Sequence, residues 1–511
     1  MPTENPAGPR RSYSVANDVW APFEADEGLS LVVDFGQRPL RVVAAYRGAP
    51  PPGHHLPHSV AMEEDGADLP PARQQRFVSL HDEDGECLTA FKLPQGATSF
   101  LDGRDGGSGR PTGGLAAGRD CHLLHLPCTR EMKVLGFCDT AYRPEGARAS
   151  SVRNRMLLAG AFTFPGVEKV PDRLRFPDGA EIALPKDVPA LEEESPPGGG
   201  DSVEVVHIHG ERPPHEAFNI VVLGDGYTEV ELPALEARAR EFAARLLGSS
   251  EDPTAPGIAP FSKPELRERI SIDLIKAASE DHGVTFCPGC TQERNTFFKV
   301  RGNFTGSGMP TDYDTDDLVG LYSAVTAVAD LAHIEAILVI PNCAQYGGRG
   351  FRDRRLAFAS ALPSMENFTH LAIHELAHAV ADLGDEYRSC DVERDVPRIF
   401  RNIATPSQLA AGPPWWIRLA EAHEIEGGEL RVQHRCQGPV PTGADANALG
   451  MFWGAQFIEA AASPCECDHQ NDQRLCGYFR PMRRCKMRRI RHDFCRVCQH
   501  VLEEAIRAVA P

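Results

Sequence analysis

His374 and His378 stand four residues apart, with Glu375 directly after the first, in the run HELAHAVADLGDEY over 374–387. On an α-helix, residues at that spacing project from the same side. Two imidazole nitrogens so placed can share one zinc ion, at about 2.0–2.1 Å each. Glu375 falls on the neighbouring flank, beside the open coordination position, where its carboxylate can take a proton from an attacking water. A zinc ion brings the pKa of such a water towards neutrality and polarises a carbonyl, the chemistry that amide hydrolysis needs near pH 7. A helix with two solvated histidines is the competing reading, and the apolar pattern around the pair argues against it.

A catalytic zinc also needs a third protein ligand. Asp382 is a further i+4 step along, but the span from His374 to Asp382 covers about 12 Å of helix axis, too far for one ion. Asp385 follows Gly384, a residue that accepts left-handed backbone and is a natural helix stop. A turn there brings the Asp385 carboxylate back under the metal. Asp385 is therefore the preferred ligand, with Glu386 as runner-up or as a group orienting a ligand histidine. Tyr387 either lines the site or packs in the core.

Two CxxC pairs, CPGC (Cys287 and Cys290) and CRVC (Cys495 and Cys498), together have the ligand count of a second, structural zinc. The run CECDHQNDQRLC over 465–476 is rich in soft ligands at irregular spacing. GDGYT over 224–228 lacks the Lys-Ser/Thr of a phosphate loop and the third glycine of a dinucleotide fingerprint, so it reads as a tight turn. RRCKMRRIRHDFCR over 483–496 is locally basic and reads as a solvated or ion-paired face.

The elements that must position these groups are visible in the apolar pattern. From Ser364 to Gly384, Phe368, Leu371, Leu376, Val380 and Leu383 recur at helical spacing. FNIVVLGDGYT (218–228) reads as a buried strand and turn, followed by an amphipathic helix ending at Gly248. Further strands are expected at 269–279, 335–342 and 356–361, with a helix at 317–334. Strands alternating with helices imply an α/β catalytic domain. Upstream, short β-rich runs such as LSLVVDF and LRVVAAY, separated by Gly, Pro and Asp, suggest an all-β, sandwich-like module. Residues 186–203 are acidic and rich in Pro and Gly, as a linker is. The expected organisation is a polar tail (1–27), a β-sandwich-like accessory domain (28–185), the linker (186–203) and a catalytic domain (204–511).

With 511 residues and 42% hydrophobic content, the chain can build more than one core. A formal net charge of -19 argues against a nucleic-acid partner and against binding to anionic lipid surfaces. No apolar run reaches membrane-spanning length. Arg10 and Arg11 are followed by Asn17, Asp18, Glu24, Asp26 and Glu27 rather than an apolar stretch, so no export signal is read and a cytoplasmic location is favoured. The 15 cysteines are then expected as thiols or metal ligands rather than a disulfide framework.

The combination of NIVVLGDGYTE, PNCAQYGGRG, HELAHAVADLGDEY, GYFRPMRRCKM and FCRVC resembles the bacterial IgA-protease type of zinc peptidases, metallopeptidase family sixty-four. That resemblance runs through most of residues 216–500 and implies an HExxH zincin of metzincin-like shape, generally preceded by a β-rich domain. It implies zinc at His374 and His378, the base at Glu375, Asp385 as third ligand, and Met487 as the methionine turn under the site. One departure is spacing: the usual metzincin order puts a glycine three residues and the last ligand six residues after the second histidine, where this chain has Ala381 and Gly384. The expected activity is a zinc-dependent endopeptidase acting on protein or peptide substrates. The alternative is a zinc-containing binding or adhesion protein without catalysis, which would have no use for Glu375.

Overall fold

The protein is seen in a computed structural model that describes residues 27–34, 40–48, 76–93, 98–104, 111–117, 121–128, 131–139, 157–164, 167, 169–175, 181–192, 203–248, 256–287, 293–304, 310–362, 364–386, 400–404, 414–421, 431–433, 448–455 and 478–509. The expected tail up to Asp26, most of the expected linker, Tyr387, Cys290 and the run 465–476 lie outside these residues. The fold is mixed α/β with several sheets and few helices. Among the described residues no helix is long and apolar enough to cross a membrane.

The N-terminal part is all β. Strands β1 (Glu27–Asp34), β2 (Arg41–Gly48) and β7 (Cys121–Cys128) form one antiparallel sheet, in the order β2-β1-β7. Strands β3 (Arg76–His81), β4 (Cys87–Leu93), β8 (Val134–Asp139) and β9 (Leu157–Thr163) form another, in the order β4-β3-β8-β9. Successive strand residues face opposite sides. In β1, Leu29, Leu31 and Val33 meet Val78, Leu80, Leu135 and Phe137 of the second sheet in one core, while Val32 joins Ala44 and Tyr46 in the core below. A short ribbon of β10 (Arg173–Arg175) and β11 (Glu181–Ala183) closes this region.

The hairpin β5 (Thr98–Arg104) and β6 (Pro111–Ala117) belongs elsewhere. It extends the large sheet, whose order is β12-β14-β13-β18-β20-β19-β5-β6. Here β12 is Glu204–His209, β13 Phe218–Asp225 and β14 Ile270–Lys276. Strands β15 (Thr285–Cys287), β16 (Val300–Phe304) and β17 (Pro310–Thr315) make a small sheet of their own. The large sheet continues with β18 (Ile334–Pro341), β19 (Gly348–Phe351) and β20 (Leu356–Ala359). Strands β14, β13, β18 and β20 run parallel, whereas β12 and β19 are antiparallel to their neighbours.

Every residue of β13 is buried, as both faces of a central parallel strand must be. Ile220 and Val222 face the core containing helices α1 (Leu232–Leu247) and α4 (Met365–Ala381). Val221 and Leu223 face the core shared with α3 (Leu318–Val325) and the first N-terminal sheet. Helix α2 (Pro264–Arg267) is a single turn. The expected helix over 317–334 stops at Val325, and a 3-10 turn at 331–333 delivers the chain into β18. A last small sheet of β21 (Arg431–Gln433), β22 (Gly450–Ala455) and β23 (Tyr478–Arg480), with helices α5 (Trp415–Glu421) and α6 (Arg496–Val509), completes the described chain.

Helix α4 begins where Ser364 Oγ accepts the Asn367 N–H. Phe368, Leu371, Ile373, Leu376 and Val380 are all buried, packed among α1, α6 and the strands β18 to β20. Each such side chain contributes about 1.5–3 kcal/mol on leaving water, so the helix is anchored on several sides rather than along one stripe. Its end differs from expectation. The left-handed residue is Asp382, at φ 53°, not Gly384. A Cβ on Gly384 would fall 2.7 Å from Phe400 Cγ, so that glycine serves close packing instead.

Candidate metal centre

The two histidine rings of α4 converge at their tips. His374 Nε2 and His378 Nε2 are 3.2 Å apart, with the ring planes at 89°. Both rings are held from behind. His374 Nδ1 donates to the Lys486 carbonyl at 3.2 Å, and His378 Nδ1 donates to the Leu383 carbonyl at 2.6 Å. A carbonyl only accepts, so each Nδ1 carries the hydrogen and each neutral ring keeps its lone pair on Nε2. The two lone pairs therefore face one point.

Asp385 supplies the third donor. Its Oδ1 lies 3.1 Å from His374 Nε2 and 3.3 Å from His378 Nε2, and the residue is 1% exposed. Three donors about 2.0–2.1 Å from a tetrahedral zinc would stand about 3.3 Å from one another. The observed triangle of 3.1, 3.2 and 3.3 Å has that size. The donor chemistry and the spacing both fit a zinc ion. Burial pushes the Asp385 carboxyl up, but the two imidazoles beside it outweigh burial and hold its pKa at about 2. Burial also lowers His378, partly offset by Asp385.

The turn that delivers Asp385 is locked by a residue that sequence patterns did not single out. Asn402 Oδ1 accepts the Gly384 N–H at 2.7 Å, and its Nδ2 donates to the Gly384 carbonyl at 2.8 Å. Nothing in the composition around Asn402 marks it; only the fold brings it within reach. Met487 is fully buried, and its carbonyl accepts the Glu386 N–H at 2.8 Å. The CKM segment thus braces the site at two points, through the carbonyls of Lys486 and Met487.

Glu375 is fully buried beside strand β19. A Cβ on Gly348 would fall 2.7 Å from Glu375 Cγ, and one on Gly350 would fall 2.8 Å from the Glu375 carbonyl. Contacts that short are not tolerated, so the GGRG run is glycine-rich because α4 lies directly on β19 there. The GDGYT run forms the tight turn expected after β13. Asp225 accepts the N–H groups of Phe298 and Val300 at 3.0 and 2.7 Å, and Gly226 has φ 75°.

Glu386, the runner-up for third ligand, points away from the histidines. It joins Cys485, Cys495 and Cys498 in a second buried group of potential ligands. Among the described residues, the CRVC pair lies beside Cys485 and Glu386. The Cys287 side chain and all of Cys290 lie outside the described residues. Within the basic run Lys486 is fully buried, and just before the run Arg480 is buried, with Nη1 donating to the Glu386 carbonyl at 3.3 Å.

Compared with known families, residues 206–408 match the family model described as IgA Peptidase M64. The match takes in β12 through the histidine helix and reaches Asn402, whereas the GYFRPMRRCKM and FCRVC motifs lie beyond it. No curated protein matches the chain.

Proposed function

Residues 206–408 belong to the IgA peptidase M64 family of metallopeptidases, and from that premise we propose that the chain is a zinc-dependent endopeptidase. His374, His378 and Asp385 would hold the ion, and Glu375 would be the general base. The observation that carries this is the triangle of 3.1–3.3 Å formed by two imidazole nitrogens and a carboxylate oxygen beside a buried glutamate. A bound zinc supplies Lewis acidity, acidifying water and polarising the scissile carbonyl. Glu375 takes the proton of the attacking water and hands it to the leaving amine, as one carboxylate can do in both halves of the reaction. The Lys486 and Leu383 carbonyls fix the imidazole tautomers, and Asn402 fixes the turn carrying Asp385. Protein or peptide chains are the substrate class.

Two finer readings go with this. The parallel strands followed by antiparallel β19 beside the helix, and Met487 buried next to the site, support a metzincin-like catalytic region. The single core shared by the two N-terminal sheets supports a β-sandwich-like module.

The test is Glu375→Ala in the full chain. Zinc content should stay at the wild-type level while hydrolysis of unfolded protein substrates disappears. Equal hydrolysis by wild type and variant would overturn the mechanism. Absence of hydrolysis by zinc-loaded wild type across a broad peptide library would favour a binding protein.

A further inference from the structure

The group formed by Glu386, Cys485, Cys495 and Cys498 is separate from the histidine triangle and is not needed for its chemistry. All four residues are buried, from 0 to 3% exposed, and their ligand atoms lie within 4.8 Å of one another. Cys485 Sγ is 3.6 Å from Cys498 Sγ, and Glu386 Oε1 is 3.3 Å from Cys498 Sγ and 3.7 Å from Cys495 Sγ. Tetrahedral zinc, with Zn–S near 2.3 Å and Zn–O near 2.0–2.2 Å, places sulfur atoms about 3.8 Å apart and sulfur and oxygen about 3.5 Å apart. A disulfide would need about 2.05 Å, and three thiols cannot all be paired.

We propose that Cys485, Cys495, Cys498 and Glu386 form a second, structural zinc site that ties the Asp385–Glu386 turn to the C-terminal helix.

Several independent features agree with this assignment. The Cys495 N–H donates to Cys485 Sγ at 3.3 Å, as amides do to metal-bound thiolates. Cys498 sits in the first turn of α6, where the helix dipole favours a thiolate. Glu386 Oε1 accepts from Asn402 Nδ2 at 3.1 Å, but Oε2 meets no hydrogen-bond donor among the described residues, an expensive burial for one oxygen of a carboxylate. Three thiolates and a carboxylate around a divalent ion carry a net charge of -2. Arg480 and Arg488 both act on Glu386 electrostatically and offset that charge. Arg488 of the basic run and Arg480 just before it thus act as counter-charges of the site. Binding would release the thiol protons to solvent, so occupancy should fall with acidity. Four protein ligands leave no open position, which makes the site structural rather than catalytic.

The site does not depend on the catalytic reading, and its test keeps the two apart. The full-length double variant His374→Ala/His378→Ala, purified under reducing conditions, should retain one zinc per chain, against two for wild type. Cys495→Ser should lose one zinc and keep the other. Because Cys495→Ser could misfold, wild type is also reconstituted with cobalt(II) in place of zinc. An intense sulfur-to-cobalt charge-transfer band is expected, which a two-histidine, one-aspartate site cannot produce. Cys485, Cys495 and Cys498 should resist alkylation until a chelator is added. A histidine double variant that holds no zinc, cobalt protein without the thiolate band, or any two of these cysteines recovered as a disulfide would overturn the proposal.

Discussion

Asp385 and Glu386 are consecutive, yet their carboxylates serve opposite sides of one turn. Asp385 Oδ1 lies 3.1 Å from His374 Nε2, and Glu386 Oε1 lies 3.3 Å from Cys498 Sγ. A shift of this dipeptide therefore moves both donor groups at once.

Asp385→Asn keeps the shape but removes the anionic donor. Its cost in zinc affinity at the histidine site should exceed the roughly 10–100-fold typical of outer-shell partners. Zinc titration with a competing chelator would measure it. Unchanged affinity would show that the aspartate is not a ligand.

Asn402→Ala should act without touching the metal. It removes the acceptor and donor that hold Gly384, leaving buried backbone groups unpaired at about 1–3 kcal/mol. Thermal or urea unfolding should show that loss, together with a 10–100-fold weaker hold on zinc. Stability lost with zinc affinity intact would mean that the turn does not position Asp385.

Gly348→Ala would place a methyl group 2.7 Å from Glu375 Cγ. The carboxylate must move, so turnover should fall at least about tenfold, the factor that each ~1.4 kcal/mol of lost transition-state stabilisation costs. Zinc content should hold, since no ligand atom is displaced. Peptide-hydrolysis kinetics beside metal analysis would separate the two effects, and full turnover would place the base elsewhere.

His370, one helical turn before His374, is buried, with the Lys486 ammonium 3.1 Å from its Nδ1. Burial, and then the charges of Lys486, Arg245 and Arg491, push its pKa down from 6.5 to about 3. The unfolded chain then binds the proton first. The contribution of His370 is complete above pH 6.5 and is lost as pH falls from 6.5 towards 3. In His370→Gln, the unfolding free energy measured at matched total zinc should fall less steeply with acid, by up to about one proton. Parallel acid limbs for wild type and variant would show that His370 is already charged in the fold.

The histidine helix, β13, β18 and α1 were legible because long apolar periodicity leaves little choice of partner face. The proximity of Asp385 to the histidine pair was legible too, because helix geometry excluded Asp382. Strand β19 was not: GRGF has almost no strand propensity, and its extended form is set by neighbours on both edges. The left-handed helix end at Asp382 was missed because the adjacent Gly384 carries the stronger stop signal. The nearness of Cys485 and Glu386 to CRVC was not legible, because a CxxC pair says nothing about which other residues the fold brings beside it. Cys485 is ten residues away in the chain but comes close only through the loop preceding α6.

Strand β19 has two hydrogen-bonding edges, and both are taken. Gly348, Arg349, Gly350 and Phe351 register against β20 on one side and against Asp102, Leu101, Phe100 and Ser99 on the other. This is also the strand whose glycines touch Glu375 and its helix. An incoming polypeptide that lay down beside it by strand addition would need the backbone positions that the N-terminal hairpin already fills. The hairpin thus caps that edge, so the accessory strands and the helix carrying Glu375 lean on one and the same strand.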